Sequence, residues 1–467
     1  MKWKKVLNAM LLLALWGGIA CAQAPPDANQ YVSRQEYDKL KQEMDALKAD
    51  MAAIRKERVA PAAGMDQTRE VQSLRSEVTA LKQERAAQSA EVNQTLEDLD
   101  TQVQAVKKDA DKMRLGDTKL LLTGFTHASY IDRRGENSTF ETGFNPVFLW
   151  EINDRLAFEG ELEFGLSSSA PDELHDSENS TDVSLEYANM TYLVNDYITV
   201  GAGRFLVPFG IFNERLHQDW INKLPDRPLI YDDEVGIVQE SGIGAFVRGA
   251  FPWDNSKFNY ALYIDNGPSL ITKDSESAGM LDRDNFQDEN HNKSVGGRIG
   301  YLPIPELEVG YSAQAAKVSP QGFENVDMFT QGVDITYKRQ VECLRGDIDV
   351  RMECVWSHVG TATYDPTGDL GFGPLRFDNN RNGYYIQAAY RPTLADEKIL
   401  RNFEFVLRYD TLNVPDRAPG SSDESRWTPG IDYWINPSTV VKAAYQFDDT
   451  KGSQDRNALL LQAAMGF

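Results

Sequence analysis

The sequence predicts an all-β transmembrane barrel of about 16 antiparallel strands, preceded by an α-helical coiled-coil segment. Three observations carry this reading. From about residue 117 to the end, apolar residues recur with period two, the spacing of a strand with one dry face. Short connections alternate with long, polar ones along that region. Beyond the N-terminus no run of ~18 or more apolar residues occurs, so the chain carries no bundle of membrane helices.

The clearest strand is LAFEGELEFGL at 156–166. Leu156, Phe158, Gly160, Leu162, Phe164 and Leu166 share one face, and Glu159, Glu161 and Glu163 share the other. Three glutamates on one face exclude a dry core there, because each unpaired buried carboxylate costs several kcal/mol or takes up a proton. A soluble sheet edge and a membrane barrel both fit this strand. The first turns its apolar face inward, the second outward to lipid.

The chain has 467 residues, 71 acidic against 48 basic, and a net charge of -23. That balance argues against nucleic acid as a partner. A mean hydropathy of -0.47 is compatible with a barrel, half of whose strand residues face water.

Residues 1–24 read as an export signal: Lys2, Lys4 and Lys5, an apolar stretch over 6–16, then small residues. Ala20-Cys21-Ala22 and Ala22-Gln23-Ala24 both suit cleavage, and a lipidated Cys21 is the alternative. If Cys21 is removed, Cys343 and Cys354 remain. A disulfide between them conflicts with one hairpin holding Cys343 at its turn and Cys354 well up the next strand. Five scattered histidines give no metal-ligand spacing, and no cofactor is indicated.

Residues 25–116 read as a periplasmic coiled coil broken near 59–70. Tyr37, Leu40, Met44, Leu47, Met51 and Ile54 alternate spacings of three and four. After Pro61 and Gly64 the seam restarts at Val71, Leu74, Val78 and Leu81, and it runs on to Met113. The bland alternative is one amphipathic helix on a surface.

The barrel domain spans 117–467. Its strands are expected over 119–130, 144–152, 156–166, 183–194, 197–205, 243–251, 258–264 and 295–301. The series continues over 307–313, 329–337, 348–356, 384–390, 403–409, 427–434, 440–447 and 458–467. Asn153-Asp154, Asn195-Asp196 and Asn436-Pro437 are short turns, whereas 208–240 and 266–293 are long and polar. Such segregation suits an outer-membrane barrel, as do Phe467 ending an alternating strand and the aromatics Trp150, Tyr197, Tyr301, Tyr390, Trp427 and Trp434 near strand ends.

Several short motifs carry a family likeness. They are Gly203-Arg204-Phe205-Leu206-Val207-Pro208-Phe209-Gly210, Tyr263-Ile264-Asp265-Asn266-Gly267, Gly297-Arg298-Ile299, and Gly430 through Pro437 with its Asp432-Tyr433-Trp434 centre. In that order, over roughly 117–467, the chain resembles the phosphate-selective porin O/P family. The resemblance implies a sixteen-stranded passive channel in the outer membrane of a Gram-negative-type cell. It further implies a trimeric homo-oligomer and a loop folded inward, with outer-membrane lipid and small solutes or ions as partners.

A barrel of this size leaves an aqueous channel, so transport needs no chemistry. The pore-lining candidates are Glu159, Glu161, Glu163, Arg204, Arg248, Arg298, Arg408 and Lys442. The loop 208–240 is the candidate constriction, with Arg215, Lys223 and Arg227 as its basic residues. Solvated loop charges are the plainer reading of each. Family members selective for phosphate line the pore with cations, and the mixed set here departs from that. It points to a general or weakly selective porin. The competing reading is a structural tether from outer membrane to cell wall through the coiled coil. An enzyme would need a nucleophile with an oriented base, and the histidines show no such arrangement. A barrel sheathing electron carriers of partner proteins is a further possibility.

Overall fold

The computed structural model describes residues 114–115, 118–168, 179–232, 235–273, 277–283, 286–288, 290–365, 373–419, 422–452 and 456–467. The export signal and residues 25–113 of the expected coiled coil lie outside these, and Arg114–Leu115, expected as its end, is instead a two-residue strand paired with Thr118 and Lys119. The period-two region forms sixteen long strands: β1 Thr118–Arg133, β2 Thr139–Glu151, β3 Leu156–Ser168, β4 Asn179–Asn195, β5 Ile198–Leu206, β6 Ser241–Trp253, β7 Ser256–Asp265 and β8 Ser294–Ile304. Next come β9 Leu307–Lys317, β10 Asp327–Val341, β11 Gly346–Tyr364, β12 Leu375–Arg391, β13 Phe403–Asn413, β14 Glu424–Asn436, β15 Thr439–Thr450 and β16 Ala458–Gly466. All sixteen expected strands are present, most of them longer at the ends.

Each strand pairs antiparallel with its sequence neighbours. The sheet closes where β16 meets β1, from Ala458 opposite Arg133 to Gly466 opposite Phe125. No edge is left at the seam, which removes the unpaired backbone that hydrocarbon does not tolerate. Phe467 continues the seam: its N–H donates to the Gly124 carbonyl at 3.0 Å, and its ring stacks on Phe144 at 5.7 Å.

The outer face is apolar. Phe144, Leu262, Ile264, Val295, Ile299 and Leu407 are among the large hydrophobic side chains left exposed there. A water-soluble molecule rarely shows so continuous an apolar surface, whereas a lipid-facing barrel requires one. Aromatic clusters mark both margins of the band. Phe251, Phe258 and Tyr301 stack near the short turns, and Tyr384, Tyr409 and Trp427 pack towards the opposite rim. The tight turns are fixed by their asparagines. Asn153 Oδ1 accepts from the Arg155 and Leu156 amides, Asn195 Oδ1 from Tyr197, and Asn436 Oδ1 from Ser438.

One irregularity bears on the lumen. Between β3 and β4 the register shifts, so Tyr187 faces Glu161 while Leu185 faces Leu162, and Glu186 is the extra residue of a bulge. The hairpin that holds both described cysteines keeps them apart. Cys343 is exposed in the turn and Cys354 is buried opposite Val333, so no disulfide joins the two.

Candidate solute passage

The wall strand β5 stops at Leu206 and the wall resumes at Ser241, so residues 207–240 leave the sheet. Their composition explains where they go. Val207, Phe209, Ile211, Phe212, Leu229 and Ile230 form an apolar set that would not be stable in water, and inside the barrel they pack on Val355, Tyr385 and Leu412. A short helix, α1 (Phe212–Leu216), and a single 3-10 turn at Leu229–Tyr231 shape the loop. Glu353 of β11 anchors it. Its carboxylate accepts from the Ile211 amide at 3.1 Å, from Tyr231 at 2.7 Å and from Tyr385 at 2.7 Å.

Polar anchors continue along the same side of the barrel. Arg298 of β8 donates to Asp334 at 2.6 Å and to Glu308 at 2.9 Å, and Glu308 also receives Arg215 of the loop at 2.8 Å. Lys223 pairs with Glu404 and lies 3.6 Å from Asp349. Arg408, fully buried, binds Asp410 at 2.7 Å and the loop's Asp226. Lys442 donates to the loop carbonyls of Asp219 and Asn222 and, at 2.9 Å, to Gln462. The structure therefore places Arg408, Lys442 and Lys223 in the seal between loop and wall, while Arg298 is paired within the wall and borders a cavity near the short turns. Paired in this way, each cation satisfies a carboxylate or carbonyl rather than facing solvent.

The other side of the lumen stays open. Four cavities follow one another along it and share lining residues. The outermost, about 890 Å3, is lined by Glu163, Glu186, Arg204, Arg227, Glu240 and Arg283, among others. Glu163, Glu186 and Arg227 pass it on to a second cavity of about 330 Å3 with His127, Glu161, His217 and Asp219. His217 borders a third of about 160 Å3 with Glu159, Glu214 and Arg248. Glu214 and Arg248 lead to a fourth of about 510 Å3 that reaches Arg215, Lys257 and Glu308 near the short turns.

The three glutamates of β3 thus line the same side as Arg248, Arg215 and Arg227. Arg248 lies 3.3 Å from Glu214 and 3.8 Å from Glu159, and its side chain is 41% exposed. Arg227 holds Glu240 at 2.8 Å. Asp219 binds His127 of β1 at 2.5 Å. Burial pushes the Asp219 carboxyl up, but the His127 hydrogen bond and charge outweigh this and hold it below the usual carboxylate range.

Arg204 borders the outermost cavity, but not by strand alternation. It pairs with Ala188 and Ile243, on the same face as the exposed Ala202 and Ala245, while its neighbour Phe205 packs into the loop core. β4 extends past the end of β5, leaving its 181–187 edge without a ladder partner on that side. Arg204 reaches across this gap: its Nε donates to the Glu186 carbonyl at 2.9 Å and its guanidinium lies 4.6 Å from the Phe286 ring. The arginine caps a strand edge and meets the outer cavity only through the gap.

Strand alternation alone did not reveal Glu186, whose position depends on a bulge, nor His127, whose partner is 92 residues away in the loop. The apolar clusters Phe209 to Phe212 and Leu229 to Tyr231 were the available signal that this loop is buried.

No family model matches the chain. An uncharacterized protein of Aquifex aeolicus is 24% identical over 325 residues, 66% of this chain and 70% of that protein. Among solved structures, the chain is similar to an anion-selective porin from Comamonas acidovorans, with 11% identity, a TM-score of 0.45, and coverage of 75% of this chain and 100% of that one. Salmonella typhi OmpF in complex with daunomycin gives 12%, 0.46, 75% and 98%. The outer membrane channel DcaP of Acinetobacter baumannii gives 14%, 0.43, 75% and 97%. The barrel itself rests on its own strand ladders, not on these low-scoring overlaps.

Proposed function

We propose that the chain is an outer-membrane porin, a water-filled channel for passive diffusion of small hydrophilic solutes or ions. The observation that carries this reading is the succession of polar cavities between the inward loop and the β1–β9 side of the wall. No bond need be made or broken, because an aqueous path lined by fixed charge lets solutes move down a gradient.

The charge along the path favours weak selectivity. Glu159, Glu161, Glu163 and Glu186 face Arg215, Arg227 and Arg248, while Lys223, Arg408 and Lys442 are held in the loop seal. A dedicated phosphate path would need those cations free. The finer likeness to phosphate-selective porins therefore comes with a lumen better suited to small ions of either sign. Reversal potentials of the purified protein in planar bilayers under a salt gradient test this. Values near zero support the mixed passage, and a strong anion preference rejects it.

The trimer implied by the family resemblance is part of the same proposal, and native mass measurement in detergent tests it. The tether reading rests on the heptad seam within 25–113, outside the described residues, and is compatible with a conducting barrel.

A further inference from the structure

We propose that His217 and Glu161 form a two-ligand site for a divalent transition metal ion, with Zn2+ as its probe, where the second and third cavities of the passage meet. The inference rests on the geometry of the passage and deepens the channel reading.

Glu161 is fully buried on β3. Its Oε1 accepts from Asn145 at 3.3 Å, whereas Oε2 has no hydrogen-bond partner. The His217 side chain is 7% exposed, and neither of its ring nitrogens has a hydrogen-bond partner. The two groups face each other with Nε2 3.8 Å from Oε2. That is too long for a direct hydrogen bond. It matches two ligands on one ion, since zinc–nitrogen and zinc–oxygen lengths of about 2.0–2.2 Å span it at an open angle.

The site is held in place. Phe125 and the imidazole pack in a T-shaped arrangement, with ring centroids 6.4 Å apart and planes at 73°. Two residues on, Asp219 is clamped to the wall by His127 through its carboxylate and by Lys442 through its carbonyl. Glu141, Glu163 and Asp219 border the same cavity, where Arg227 and the His127 that pairs with Asp219 offset part of their charge.

Imidazole and carboxylate together suit zinc, copper or nickel, while magnesium and calcium take oxygen ligands only. Among the described residues no three metal-ligating side chains converge. Water would complete the coordination, giving binding weak enough for the ion to leave again, as a conducting path requires.

The test is Zn2+ titration of the purified full-length barrel by calorimetry, paired with single-channel recording in which Zn2+ is added. Saturable Zn2+ binding is expected, with reduced current and no comparable effect of Mg2+. His217→Ala and Glu161→Gln should each weaken binding by roughly tenfold or more. His358→Ala, at an exposed position on β11, serves as the histidine control. No Zn2+ binding by the wild type, or binding unchanged in His217→Ala, overturns the site. Retention of heat-resistant electrophoretic mobility establishes folding, and His217→Gln replaces any variant that fails it. Zn2+ binding lost in His217→Ala without any channel current would sustain the site and reject the channel reading. Current without Zn2+ binding would do the reverse.

Discussion

Glu353 shows how much of the lumen is settled by single side chains. A buried carboxylate with three donors, two of them tyrosine hydroxyls, ties loop to wall at the centre of the barrel. Glu353→Ala leaves the Ile211 amide and the Tyr385 hydroxyl buried without a partner, at about 1–3 kcal/mol each, and leaves Tyr231 only the Phe209 carbonyl at 3.3 Å. The expected outcome is a lower temperature for loss of heat-resistant mobility, together with larger and noisier single-channel currents. Asp219 makes a pH prediction. Its carboxyl is held below its ordinary value in the folded state, so the stability it contributes is fully present above that ordinary value. The contribution is lost as pH falls through the depressed one. Recordings should therefore show a quiet loop from neutral pH down to about 4 and flicker only below it. Loss of the flicker threshold in His127→Ala would confirm the partner. At this scale the sequence was partly legible. The Glu159, Glu161 and Glu163 face followed from alternation, but Arg204 did not, because its face changes meaning where β5 ends and β4 runs on.

The strands were readable as elements because lipid outside and water inside impose a strict period of two on every one of them. Their turns were readable from Asn-Asp and Asn-Pro pairs, whose side chains cap the backbone of the next residues. The inward loop was readable as a long insertion, and its apolar residues as a reason to be buried. The wall it would choose was not, since that choice depends on contacts between residues as far apart as Lys223 and Glu404. The loop is the element that divides the lumen. Replacing most of it, residues 209–238, by a short Gly-Ser linker removes the seal from β9–β16 while leaving the wall ladders intact. Single-channel conductance should rise several-fold in that variant, since a barrel of this strand number otherwise encloses a wide aqueous pore. Unchanged conductance would mean that the loop does not limit the path.

For the whole molecule, the division of labour between barrel and N-terminal region makes the next prediction. Deleting residues 25–115 should leave single-channel conductance unaltered, because every described residue bordering the passage belongs to the barrel. Loss of envelope attachment in cells carrying that deletion would add the tether role without changing the channel. Fold class was legible at this scale from periodicity and loop lengths together. The offset of the passage to one side was not, because charged residues on opposite walls look alike in sequence while only one set is sealed. The decisive measurement is thiol modification during single-channel recording, with Cys343 and Cys354 replaced beforehand. Glu159→Cys or Glu163→Cys, on the open side, should lose most of its current when a bulky charged thiol reagent is added. Ser357→Cys, buried against Thr330 on the sealed side, should lose none. Equal block at both positions, or block only at Ser357→Cys, would contradict a passage confined to the β1–β9 side of the wall.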